Sequence, residues 1–130
     1  MKEMSKKNPY YISKNRKWEL KYFCKQYREW KKALNDISFF TIPPEVKVTT
    51  SDLNSMAEKV AEKRDYYNER IGLIETCAKE ANPDISKWII LAVTEDKNYE
   101  SLRMVYNIPC HRAVYYTSLQ RFFYILDKKR

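Results

Sequence analysis

Glycine, histidine and long apolar runs are scarce in this 130-residue sequence, and each scarcity excludes a class of protein. There is one glycine, whereas the phosphate-binding loops of Rossmann and P-loop proteins need clustered glycines. The longest wholly apolar run covers residues 88–93, far short of the roughly 20 residues that a membrane-spanning helix requires. The N-terminal residues are basic and no apolar stretch follows them, so we expect no signal peptide, no membrane partner and a cytoplasmic protein.

The cysteines follow no metal-binding or disulfide pattern. Cys24, Cys77 and Cys110 are far apart, no CxxC pair occurs, and His111 is the one histidine. A zinc site needs about four clustered nitrogen or sulfur ligands, so we expect no metal and no cofactor. The three thiols are expected to be reduced and buried as small apolar side chains.

The sequence offers little for catalysis. His111 and Cys110 are adjacent, and neighbouring residues on a helix point in different directions, so they do not form a nucleophile and its base. Four acids recur at helical spacing between lysines: Glu58, Glu62, Asp65 and Glu69. Such a ladder is typical of a solvated helix face rather than a carboxylate metal site. We therefore expect no enzymatic activity.

Positive charge dominates and concentrates at the two ends. The chain has 25 Lys and Arg against 17 Asp and Glu, a formal net charge of +8. Residues 1–17 carry six bases and one acid, residues 109–130 carry five bases and one acid, and residues 51–81 are mildly acidic. This asymmetry favours a polyanionic partner. Lysines that only aid solubility are the alternative for residues 1–17.

Apolar periodicity predicts an all-α protein with five helices. From about residue 15, one stripe recurs every three or four positions: Leu20, Phe23, Tyr27, Trp30, Leu34 and Ile37. The spacing predicts a helix of about six turns, whose stripe is either a core face or an oligomer seam. A second long helix is expected to be capped by Ser51 or Asp52 and to reach about Ala81.

The pattern divides the chain into three parts. Residues 1–14 are predicted to form a basic flexible arm, part of which Tyr10, Tyr11 and Ile12 are able to attach to the fold. Residues 15–81 contain the two long helices, with a linker near 38–50 where two adjacent prolines stop the first helix. This part is a candidate for oligomerisation. Residues 82–130 are predicted to form a helix-turn-helix unit.

The last part has the helix spacing of a helix-turn-helix. Helices are predicted over about 83–94, 99–106 and 111–126, and Asn82-Pro83-Asp84 is a strong start signal for the first. In such a unit the last helix enters the major groove of DNA, and the preceding helix braces it across the backbone. The alternative is a plain helical hairpin that caps a small bundle.

The turn before the last helix supports this interpretation. Asn107 tolerates left-handed backbone better than most residues, and Ile108 is the expected apolar plug between the helices. Six residues are predicted to share one core: Trp88, Leu102, Ile108, Tyr115, Leu119 and Phe122.

This core assignment leaves an outward face on the last helix. That face comprises His111, Arg112, Ala113, Tyr116, Thr117, Gln120, Arg121 and Tyr124. The predicted DNA-binding residues are His111, Arg112, Tyr116, Thr117, Gln120 and Arg121, with Lys128, Lys129 and Arg130 on phosphates. Arg112 can read guanine, Gln120 can read adenine, and Thr117 can contact a base or a phosphate. The basic arm would add sequence-independent affinity through Lys2, Lys6, Lys7, Lys14, Arg16 and Lys17.

The same residues resemble a known family. The run Ile108–Arg112 and the segment 121–130 resemble the C-terminus of phage-encoded transcriptional regulators of the RinA and ArpU type. Those regulators are similar to region 4 of sigma-70-type factors. Residues 20–24, followed by Tyr27 and the run 29–31, are similar to an N-terminal helix of the same family. The resemblance implies a phage or prophage protein that binds double-stranded DNA and activates late genes, with host RNA polymerase as a second candidate partner.

Two other functions stay open at this point. Small subunits of phage DNA-packaging machines also combine a helix-turn-helix with long oligomerising helices. A phage protein that binds a host protein such as RNA polymerase would have no affinity for DNA. The assembly state separates the first from a regulator, because a packaging subunit forms a ring of many copies.

Overall fold

The computed structural model describes residues 4–38 and 49–130, and all regular structure in those ranges is helical. The helices are α1 (Lys14–Lys25), α2 (Tyr27–Ser38), α3 (Thr50–Ala81), α4 (Ser86–Glu95), α5 (Tyr99–Met104) and α6 (Arg112–Lys129). A short 3-10 turn, Pro83–Ile85, leads into α4. The all-α prediction is confirmed, with one α-helix more than the five expected. The predicted linker near 38–50 lies mostly outside the described residues.

The additional helix arises because the first predicted helix is two. α1 ends at Lys25, and the backbone N–H of Gln26 donates to the carbonyl oxygen of Phe23 at 3.2 Å. α2 then begins at Tyr27. The prediction of one continuous helix was wrong, because neither glycine nor proline marks the break and the apolar spacing continues across it. The break lets α1 pack against α4 and α6 while α2 packs against α3.

The apolar stripe of α1 and α2 is a core face within one chain. Leu20, Phe23 and Trp30 are buried, and the ring centroids of Phe23 and Trp30 lie 5.0 Å apart. The oligomer seam that the sequence left open for this stripe is therefore not available to a second molecule at these three positions.

Thr49 is the cap of α3, rather than the predicted Ser51 or Asp52. The Thr49 hydroxyl accepts from the Asp52 N–H at 3.1 Å, and the Asp52 carboxylate accepts from the Thr49 N–H at 3.2 Å. This reciprocal pair is a capping box, which satisfies two backbone donors at the helix start. Only the C-terminal half of α3 is buried, through residues that include Ile71, Ile74 and Cys77.

The predicted C-terminal core is confirmed. Leu102, Ile108, Tyr115 and Phe122 are buried, and Trp88 and Leu119 pack against them while partly exposed. Two of the three thiols, Cys24 and Cys77, are buried and free, and Cys110 is half-buried. Burial raises the pKa of Cys24 to about 12, so this thiol stays protonated at neutral pH.

We expect Phe122→Ala to lower the free energy of unfolding by about 3–5 kcal/mol, because a fully buried aromatic side chain leaves a cavity. Urea denaturation followed by circular dichroism measures the loss. The adjacent Arg121→Ala is the control, since an exposed substitution on the same helix should change stability by less than about 0.5 kcal/mol. Equal losses in the two variants would contradict the packing.

Candidate nucleic-acid interface

The turn after α5 is closed by a left-handed residue. Asn107 has a φ of 53°, and beyond it the N–H of Ile108 donates back to the carbonyl of Leu102 at 3.1 Å. This bond spans six residues and closes the chain around the left-handed Asn107. Ile108 is 6% exposed. Both turn predictions, the left-handed Asn107 and the apolar plug Ile108, are confirmed.

Helix α5 braces the start of α6. The Tyr99 hydroxyl donates to the Cys110 carbonyl at 2.7 Å, and the Tyr99 ring centroid lies 5.4 Å from that of Tyr115. The connection between α5 and α6 covers residues 105–111, which is longer than the 3–4-residue turn of a tight helix-turn-helix. His111 precedes α6 in extended backbone, so its side chain stands at the helix entrance rather than on the helix.

The outward face of α6 has the predicted register. His111, Arg112, Ala113, Tyr116, Thr117 and Arg121 are exposed, whereas Gln120 and Tyr124 are half-buried. A shallow depression in this face is lined by Ala113, Val114, Thr117 and Ser118. Small side chains there allow another surface to approach the helix closely.

The two arginines of α6 do not share a face. Arg112 forms an ion pair with Glu100, and its guanidinium lies 5.5 Å from the centre of the Tyr99 ring. Arg121 is exposed and has no ion-pair partner among the described residues. At 3.6 residues per turn the two positions are about 180° apart around the helix axis. Arg112 is therefore held toward α5, and Arg121 is the available cation.

The three tail cations point to different neighbours. The Lys128 ammonium lies 4.7 Å from the centre of the Tyr124 ring, and the Lys129 ammonium lies 2.6 Å from the Glu80 carboxylate. That hydrogen bond raises the pKa of Lys129. The Arg130 guanidinium lies 3.9 Å from the centre of the Phe23 ring. Of the three, only Lys128 lies on the same helical stripe as Thr117 and Arg121.

The N-terminal arm is attached through Tyr10 and Ile12, as the sequence allowed, and the surface that receives it, α6, was not predicted. The Asn8 side-chain amide donates to the Gln120 side-chain oxygen at 3.2 Å, and Ile12 is buried. The ring centroids of Tyr10 and Tyr124 are 5.7 Å apart. The apolar residues 10–12 indicate that the arm packs on a surface, but they do not identify α6 as that surface.

Two cations that were predicted to act with the arm, Arg16 and Lys17, lie in α1 and make contacts within the fold. The Arg16 guanidinium donates to the Asp127 carboxylate at 2.7 Å, and this bond raises the pKa of Arg16. Lys17 lies over the Phe123 ring with its ammonium 5.6 Å from the ring centre, and burial lowers its pKa. Lys6, Lys7 and Lys14 are the exposed arm cations in the described residues.

Comparison with known proteins identifies no relative: no family model matches the chain, and no match is found among curated proteins or solved structures. No helix in the described ranges is long and apolar enough to cross a membrane. Within residues 4–38 and 49–130, no group of three or more His, Cys, Asp and Glu side chains is arranged to hold a metal ion.

The left-handed turn can be tested at Asn107. Asn107→Val should lower the free energy of unfolding by about 1–2 kcal/mol, because a side chain with a branched β-carbon resists that backbone conformation. Asn107→Gly should stay close to the parent, since glycine adopts positive φ readily. Thermal unfolding of both variants measures the difference, and equal melting temperatures would contradict the turn geometry.

Proposed function

We propose that the protein is a phage-encoded DNA-binding regulator of transcription, in which α4, α5 and α6 act as a helix-turn-helix unit. The exposed first half of α6, braced by α5 through the Asn107–Ile108 turn, is the observation that carries the proposal. Recognition helices contact base edges with residues of this part of the helix. The family resemblance adds late phage genes as the target, activation as the effect and the bacterial host cytoplasm as the location.

On this proposal, the stripe that begins at Ala113 and Thr117 in the first half of α6 and continues to Arg121 and Lys128 faces the DNA. A major groove about 12 Å wide admits one helix. Arg121 has the planar fork that matches guanine or a phosphate, and the depression around Ala113 suits a thymine methyl group. Arg112 contributes only when DNA draws it away from Glu100. Arg121 is therefore a more important DNA contact than Arg112 in this proposal, whereas the sequence predicted both as contacts.

We expect Arg121→Gln to weaken binding to duplex DNA and to reduce the slope of log affinity against log salt by about 0.9 if the contact is to phosphate. Fluorescence anisotropy with a mixed-sequence duplex measures both quantities. Lys59→Gln is the matched control, because it removes one exposed charge from the N-terminal half of α3, away from α6.

Two outcomes would contradict the proposal. If Lys59→Gln weakens binding as much as Arg121→Gln, the affinity comes from net charge and not from α6. If the parent protein shows no duplex binding at low salt, with or without RNA polymerase, the regulator proposal fails. A protein that binds a host partner then takes its place.

One observation favours a protein partner in addition to DNA. Met104 and Val105, at the end of α5, are 82% and 71% exposed. Large apolar side chains that stand this far into solvent, next to each other, are typical of a protein-binding surface. Host RNA polymerase is the partner that the sigma-like resemblance implies.

Self-association is proposed to use the N-terminal half of α3, because Leu20, Phe23 and Trp30 of the α1 and α2 stripe are buried. Leu53 is 40% exposed there, and Met56 and Val60 follow it at helical spacing.

We expect Leu53→Glu to convert a dimer to a monomer in sedimentation velocity. A parent protein that is monomeric at all concentrations would overturn self-association, and a ring of many subunits would favour a packaging subunit over a regulator.

A further inference from the structure

The N-terminal arm ends in a formed turn that presents two lysines. The N–H of Asn8 donates to the Ser5 carbonyl at 3.0 Å, which closes a β-turn. The N–H of Lys7 donates to the Ser5 hydroxyl at 3.3 Å and supports the same turn. Lys6 and Lys7 occupy its two central positions, and both are exposed. We call residues 5–8 the basic turn.

The basic turn is held in place by Asn8. The side-chain oxygen of Asn8 accepts from the Tyr10 N–H at 2.8 Å, while its amide donates to Gln120 at 3.2 Å. Both ends of this short side chain are therefore engaged. Downstream, the Tyr10 ring packs on Tyr124 and Ile12 is buried, so the arm is attached at three successive points.

The contact between Asn8 and Gln120 places the basic turn beside the middle of α6. Asn8 contacts Gln120, Tyr10 contacts Tyr124 and Arg16 contacts Asp127, so the arm runs along α6 in the same direction as its chain. Asn8 itself closes the basic turn, so its contact with Gln120 brings the turn next to that residue. Gln120 is the immediate neighbour of Arg121, the available cation of the proposed interface.

We propose that the basic turn is a fixed phosphate-binding element of the α6 interface, in which Lys6 and Lys7 contact the DNA backbone beside the groove that α6 occupies. Asn8 and Gln120 are positioning residues that hold the turn there. This inference rests on the proposed function. It also changes the role expected for Gln120, whose side-chain oxygen is engaged by Asn8 instead of reading adenine.

A fixed turn and a free basic tail make different predictions. A tail that is tethered but free contributes its charge wherever it is attached, so removing the Asn8 side chain would not matter to it. A fixed turn loses its contacts when the attachment is broken, although no charge has been removed. The fixed turn also does not lose conformational entropy on binding, because it is ordered beforehand.

The experiment measures duplex binding of the full chain by fluorescence anisotropy over a series of salt concentrations, with a mixed-sequence duplex. Lys6→Gln/Lys7→Gln should reduce the magnitude of the slope of log affinity against log salt by about 1.8, which corresponds to the loss of two phosphate contacts. Asn8→Ala and Gln120→Ala should each reduce the magnitude of the slope by most of that amount. The double variant Asn8→Ala/Gln120→Ala should lose no more than Asn8→Ala alone, because Asn8→Ala already removes the hydrogen bond to Gln120 together with the bond from the Tyr10 N–H.

Lys59→Gln is the control for charge, and thermal unfolding of each variant checks that the fold is intact. A normal slope for Asn8→Ala, with a reduced one for the lysine pair, would overturn the fixed turn in favour of a free tail. An unchanged slope for the lysine pair would overturn the contact altogether. Additive losses for Asn8→Ala and Gln120→Ala would return Gln120 to base reading. No binding by the parent protein would instead defeat the proposed function itself.

Discussion

The packing of α6 against α3 and α1 constrains the rest of the molecule. Phe122, Phe123 and Leu126 are buried along one side of α6. At one edge of this face the Asn82 side-chain amide donates to the Ser118 hydroxyl at 3.1 Å, and at the other Arg16 is paired with Asp127. Because a helix has one fixed periodicity, the choice of buried side also determines which residues face solvent. The orientation of the proposed DNA-binding face is thus a consequence of core packing.

Local chemistry accounts for the parts of the fold that the sequence predicted well. The left-handed Asn107, the buried Ile108 and the register of α6 all depend on residues within a few positions of one another. The start of α3 was missed by a few residues for the opposite reason, since Thr49, Thr50, Ser51 and Asp52 are all able to cap a helix. Only the completed capping box selects Thr49.

Contacts between distant parts of the chain account for what the sequence could not predict. Asn8 and Gln120 are 112 positions apart, and no periodicity in either segment indicates that they meet. The pairing of Arg112 with Glu100 likewise depends on how α5 sits beside α6. For this reason the register of the outward face of α6 was predicted largely correctly, whereas the contacts that its individual cations make within the fold were not. Arg16, Lys17 and Lys129 contribute to the net charge of +8 but are engaged within the fold.

The length of α3 has a geometric consequence for any assembly. From Leu53 to Glu80, where α3 meets α6 through Lys129, the helix spans about 40 Å at 1.5 Å per residue. Two copies joined end to end at the far ends of their α3 helices would place their α6 helices up to about 80 Å apart, because each copy contributes one such length. Half-sites on B-DNA recur at multiples of one turn, about 34–36 Å. The spacing of paired binding sites along DNA would then be set by two α3 helices, without direct contact between the α6 helices.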